Sequence, residues 1–127
     1  MPQYYTLREA NELLTVVRPM VEELMEIGRR IRERRSEIWE MAEKAAGNGG
    51  SSTLSKLLPD FDRLYALLHR LQDMGVEVKD VTIGLVDFRA LRNGREVYLC
   101  WKYGEASIQF WHELEAGFTG RQPIETF

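Results

Sequence analysis

The pair His112 and Glu113, inside QFWHELEAGF at residues 109–118, is the first place in this chain to look for chemistry. Histidine followed by glutamate opens the helical motif of zinc proteases. That motif needs a second histidine four residues after the first, so that both imidazoles leave one helix face toward one ion. Here that position is Ala116, so the protease pattern fails at its most diagnostic residue. A different metal set would put His112 and Glu115, three residues apart, on one helical face, with Glu113 or Asp87 completing the ligands. Helical di-iron sites use glutamate followed three residues later by histidine and need that element twice; in this chain the order is reversed and occurs once. His112, Glu113 and Glu115 are therefore the candidate metal ligands, with a divalent metal as the second reading and not the first.

Cys100 is the single cysteine, and a thiol beside an imidazole can be activated as a nucleophile. The strand register derived below puts Cys100 and His112 on opposite faces of a sheet, roughly 15 Å apart, so the two should not meet. It puts Asp87 beside Cys100, where a carboxylate raises the thiol pKa, and an inert cysteine is expected. His69 follows the apolar Leu68 and reads as a boundary side chain. The run RRIRERR at 29–35 holds five arginines, but Glu26, Glu33 and Glu37 stand where they pair with them along a helix. No aromatic residue interleaves that run, so it reads as a solvated or partner-facing flank and not as a nucleic-acid surface. In GFTGRQPI, residues 117–124, Arg121 has the planar fork that grips carboxylate or phosphate, yet the strand, helix and lysine of a P-loop are missing. The plainer expectation is a tail pinned by Phe118 and Ile124, with Arg121 bonded to backbone carbonyls or a nearby glutamate.

Two kinds of element must position these residues. Thr6 and Glu9 make a capping box, which starts a helix at Leu7 that the helix formers carry to about Ala46. Pro19 lacks an N–H and should kink that helix near Val17 and Arg18. Beyond it Met20, Leu24, Ile27, Ile31, Ile38 and Ala45 form an apolar seam that skips Arg34 and Arg35. The turn GNGGSS, residues 47–52, then leads to a second helix with the seam Leu57, Phe61, Leu64, Leu68 and Leu71, Pro59 in its first turn and Gly75 as its left-handed cap. The expectation is a long antiparallel helical hairpin over residues 6–75.

After Gly75 the period changes to that of strands. Asn93 and Gly94 separate IGLVDFRAL from EVYLCW, and Asn-Gly between such runs accepts the positive φ angles of a tight hairpin. This register sets Ala90 opposite Val97, Phe88 opposite Leu99 and Val86 opposite Trp101 on one apolar face. A second tight turn at Tyr103 and Gly104 would add Ala106, Ile108 and Phe110 to that face. Asp87, Cys100 and Ser107 would then share a row on the other face, followed by Arg89, Tyr98 and Gln109, with Leu85, Lys102 and Glu105 beyond. The fold class is α+β: the helical hairpin packs on a three-stranded antiparallel β-meander, the meander and C-terminal segment filling residues 76–127 of a single domain, 1–127. The polar face is where a shallow ligand site would sit, although antiparallel sheets commonly keep one wet face for solubility alone.

Composition supports a soluble globule, with 44% hydrophobic and 29% charged residues and no apolar run near the roughly 20 residues a bilayer demands. The opening MPQYYTLREANELL lacks the basic and apolar regions of a secretory signal, and a lone cysteine suits a reducing compartment, so a cytoplasmic location is expected. A net charge of -3 creates no field favouring nucleic acid.

The strings TLREANELL, GVEVKD, GLVDF, GREVYLCWKYGE and FWHELEAGFTGRQPI resemble an uncharacterised bacterial family catalogued as domain of unknown function 2203, over nearly the whole chain. The resemblance implies no activity. It does single out Asp87, Cys100, Trp101, Glu105, Trp111, His112, Glu113, Gly117, Gly120, Arg121 and Pro123. Joined with the polar face, it makes Asp87, Tyr98, Lys102, Glu105, Trp111 and Arg121 the candidate ligand-binding set. The first helix beyond Pro19 would run about 42 Å against roughly 27 Å for the second, leaving Ile38, Trp39, Met41 and Ala42 to project or to meet another subunit. The sequence thus points to a non-enzymatic homodimer, joined through its long helices like a coiled coil, that binds a partner or a small anion. The alternative is a small metalloprotein or hydrolase using His112, Glu113, Asp87 and Arg121.

Overall fold

The capping box forms as its residues require. The Thr6 hydroxyl accepts the Glu9 N–H at 3.1 Å, the Glu9 carboxylate accepts the Thr6 N–H at 2.8 Å, and helix α1 (Leu7–Glu33) begins there. The computed structural model describes residues 3–48 and 52–127, and at 41, 44–48, 52–54 and 56 it describes the backbone alone. Helix α2 spans Arg35–Asn48 and α3 spans Ser52–Asp73; of the expected glycine-rich turn at 47–52, residues 49–51 lie outside the described residues, as do the side chains of Met41 and Ala45.

The break in the long helical stretch does not fall at Pro19. α1 continues through Pro19, which is exposed, as is Thr15, whose carbonyl the proline cannot serve and which solvent can reach. The interruption comes at Arg34, where φ and ψ are -102 and 15. Its cause is the gap in the apolar seam after Ile31: nothing there is buried to hold the helix against its neighbours. Pro59 likewise lies inside α3 and not in its first turn. Glu23 meets Arg63 at 2.6 Å and Arg30 meets Asp60 at 2.8 Å, joining α1 to α3.

Five antiparallel strands follow, in spatial order β1 (Val76–Asp80), β2 (Leu85–Arg92), β3 (Arg95–Lys102), β4 (Phe110–Glu113) and β5 (Gln122–Pro123). Among the described residues the chain is therefore α+β with three α-helices and a five-stranded sheet, in place of the expected three strands. The β2–β3 register is the expected one, with Asp87 opposite Cys100 and Phe88 opposite Leu99. Asn93 and Gly94 adopt φ of 53 and 79, as the tight turn demands. The core lies between sheet and helices, where Leu14, Val17, Leu24 and Ile27 of α1 and Leu67 and Leu71 of α3 meet Phe88, Leu99, Trp101 and Trp111. Of the expected α3 seam, Leu57 and Leu71 are buried and Phe61, Leu64 and Leu68 half-buried, while Leu67, outside that seam, is buried. Burying each such side chain contributes about 1.5–3 kcal/mol. Among the described residues no helix is long and apolar enough to cross a membrane.

The next strand differs from expectation in a way that decides the site. Cys100 pairs with Phe110 and not with Ser107, a slip of three residues. An odd slip turns every side chain of a strand to the other face. Phe110 therefore leaves the core, Trp111 enters it, and His112 joins the polar face. The added length goes into a structured connection: the Trp101 indole donates to the Glu105 carbonyl at 2.8 Å, the Lys102 N–H to the Glu105 carboxylate at 2.7 Å, and the Ile108 N–H to Asn11 Oδ1 at 2.8 Å.

Candidate functional site

The site is built on the sheet face turned away from the helices. Register alone places Glu77, Asp87, Cys100 and Phe110 in one row across four strands, with Arg89, Tyr98 and His112 in the next. Three of these are sealed from solvent: Asp87 is 1% exposed, Cys100 0% and His112 2%. His112 Nδ1 lies 2.7 Å from the Glu113 carbonyl, and Nε2 lies 3.1 and 3.0 Å from the two Asp87 oxygens. Since a carbonyl only accepts, Nδ1 carries a proton, and Nε2 shares one with Asp87.

Burial by itself would lower the His112 pKa, but the hydrogen bonds to Asp87 and to the Glu113 carbonyl, with the Asp87 charge, outweigh it and raise the pKa. Burial, reinforced by the Asp87 charge, pushes the Cys100 thiol up to about 12. The donor atoms of Asp87, Cys100 and His112 all lie within 4.8 Å of one another. This corrects the expectation that Cys100 and His112 stand on opposite faces about 15 Å apart; the three-residue slip of β4 brings them together.

Cations flank the cluster, all of them paired with carboxylates, Lys79 and Arg89 sharing Glu77. Arg121 donates to Glu105 at 2.7 Å and to the Cys100 carbonyl at 3.4 Å, and its guanidinium lies 4.0 Å from the centre of the Phe110 ring. This bears out the tail-pinning expectation for Arg121, with Ile124 packed on the core, while Phe118 stays exposed beside Lys102 and Arg121. On the other side Glu77 receives Arg89 at 3.0 Å, Lys79 at 3.2 Å and the Tyr98 hydroxyl at 3.0 Å. Burial acts to raise the Glu77 pKa, yet these three donors carry it below the ordinary carboxylate value.

Of the residues expected to join His112 in a metal set, Asp87 meets it, while Glu113 and Glu115 do not. His112 stands in a strand, so the three-residue spacing to Glu115 has no helical meaning; Glu115 is exposed in the turn beyond, and Glu113 is held by Arg95 at 2.5 Å. Trp111 faces the core, its indole donating to Thr126 Oγ1 at 2.8 Å. Lys102 ends β3 at the rim and Tyr98 lies beside the His112 ring, 5.3 Å between centroids. Glu77 and Lys79 were missed because β1 was missed; the alternation Val76-Glu77-Val78-Lys79 was the available signal.

A family model described as Uncharacterized conserved protein (DUF2203) matches residues 3–124. The chain belongs to that family. No match was found among curated proteins or among solved structures. In this DUF2203 chain, five of the residues singled out by resemblance, Asp87, Cys100, Glu105, His112 and Arg121, gather at one place, while Trp101 and Trp111 belong to the core. Thiol catalysis does not suit that place. Both imidazole nitrogens are engaged, neither with the sulfur, and the thiol is buried with a raised pKa. What the arrangement can do is share a proton or hold a cation.

Proposed function

We propose that the protein is a non-enzymatic, homodimeric module of the cytoplasm that binds a partner polypeptide through the outer sheet face and the C-terminal segment. Helix α2 carries the dimer reading. Its 14 residues extend about 21 Å, and among the described residues its substantial contacts are with α1 alone. Trp39 on that helix is 68% exposed. A tryptophan held in water on a projecting helix is best accounted for by a second copy pairing along the same helix about a two-fold axis.

The engaged state of the polar groups supports a binding role over catalysis: His112 and Glu113 are both held by internal partners. It also favours a polypeptide over a small anion, since Arg121, Lys79 and Arg89 already hold carboxylates. A cleft of about 790 Å³ lies beside the edge strand β1, where Gln3, Gln72 and Asp73 offer polar groups next to Leu68 and Val76. Edge strands accept an added strand through their unpaired backbone groups.

Sedimentation equilibrium at micromolar concentration is expected to give twice the 14.8 kDa chain mass. A monomer would overturn the dimer. Stabilisation by millimolar phosphate in a thermal scan would replace the polypeptide with an anion.

A further inference from the structure

We propose that Asp87, Cys100 and His112 form a binding site for one divalent transition-metal ion of the zinc class. Three neighbouring strands contribute one donor each, an oxygen, a sulfur and a nitrogen, all buried and all within 4.8 Å of one another. Zinc holds such donors at about 2.0–2.3 Å, so small side-chain rotations bring all three onto one ion. The imidazole already has the required orientation, and release of the proton that Nε2 shares with Asp87 leaves the metal-binding tautomer. With Nδ1 donating to the Glu113 carbonyl at 2.7 Å, Nε2 is the nitrogen aimed at the cluster, as in metal-bound histidines fixed by a backbone carbonyl behind them.

Charge balance agrees. A carboxylate and a thiolate together carry two negative charges, which a dication cancels, while the thiol proton and the proton shared by Nε2 and Asp87 pass to solvent. Arg121 and Lys79 are compensated by Glu105 at 2.7 Å and Glu77 at 3.2 Å, so neither presents an uncancelled charge to the ion. The sulfur donor selects zinc or cobalt over magnesium and calcium, which prefer oxygen. This ligand set keeps His112 and Asp87 from those the sequence suggested, has Cys100 in place of Glu113 and Glu115, and stands independently of dimerisation.

Cys100 is the only cysteine, so thiolate-to-cobalt charge-transfer absorption reports this site alone. Chelator-treated protein titrated with cobalt(II) is expected to develop that absorption, saturating at one ion per chain and bleached by one equivalent of zinc. Zinc is expected to raise the melting temperature of the same sample. Asp87→Asn and His112→Gln, checked for native circular dichroism, are expected to weaken cobalt binding at least tenfold. Folded wild-type protein that gives no charge-transfer band overturns the site, as does a band of unchanged affinity in the folded variants. Should a variant fail to fold, the wild-type titration decides by itself.

Discussion

At the residue scale, the sealed contact between His112 and Asp87 is the feature with most at stake. Taking away one member leaves the other without its partner in a place water does not reach, and breaking buried pairs of this kind costs about 3–5 kcal/mol. Asp87→Ala is therefore expected to lower stability by about that amount in urea denaturation with chelator present, and a loss under 1 kcal/mol would show the pair to be dispensable. Half of this contact was readable beforehand. Asn93 and Gly94 set the β2–β3 register locally, so Asp87 beside Cys100 followed from two residues of turn chemistry. His112 did not follow, because its face depends on how many residues the 103–109 connection consumes, and that number is set by Asn11 on α1 and by the Trp101 indole, neither close in sequence to His112.

At the element scale, the prolines and the α1–α3 ion pairs can be tested separately. Pro19 lies inside an exposed helical turn, where proline is about 3 kcal/mol worse than alanine, partly offset by about 1 kcal/mol of lost freedom in the unfolded chain. Pro19→Ala is expected to stabilise the protein by about 1–2 kcal/mol, read as a higher urea midpoint; a lower midpoint would mean that α1 needs the proline. Arg30, hydrogen-bonded to Asp60, holds the Asp60 carboxyl below its ordinary value against the opposing effect of partial burial. A depressed carboxyl stabilises in full above the unfolded pKa of about 3.9 and loses that contribution as pH falls through the lower folded value. Asp60→Asn should thus be less stable than wild type at pH 7 and converge with it in strong acid; a difference that persists there would assign the effect to something other than the charge. The helices and the β2–β3 hairpin were legible because their signals are local: a cap, a seam and a turn. β1 and β5 were harder to read, the first because its alternation spans only five residues, the second because its two residues carry no period.

At the scale of the whole molecule, the proposed pairing of copies along α2 is open to a direct test. Replacing the exposed Trp39 with glutamate is expected to leave the fold intact and shift sedimentation toward the monomer, whereas an unchanged assembly would place the interface elsewhere. The amino-acid sequence by itself determined the α+β class, the capped start of α1, the apolar seams and the hairpin that sets Asp87 against Cys100, since each of these depends on residues a few positions apart. Tertiary structure alone decided that Trp111 enters the core, that Phe110 leaves it, and that an aspartate, a cysteine and a histidine share one sealed place. The physical reason is the two-residue alternation of a strand. One connection three residues longer than a tight turn reverses every side chain after it, and only long-range hydrogen bonds specify its length.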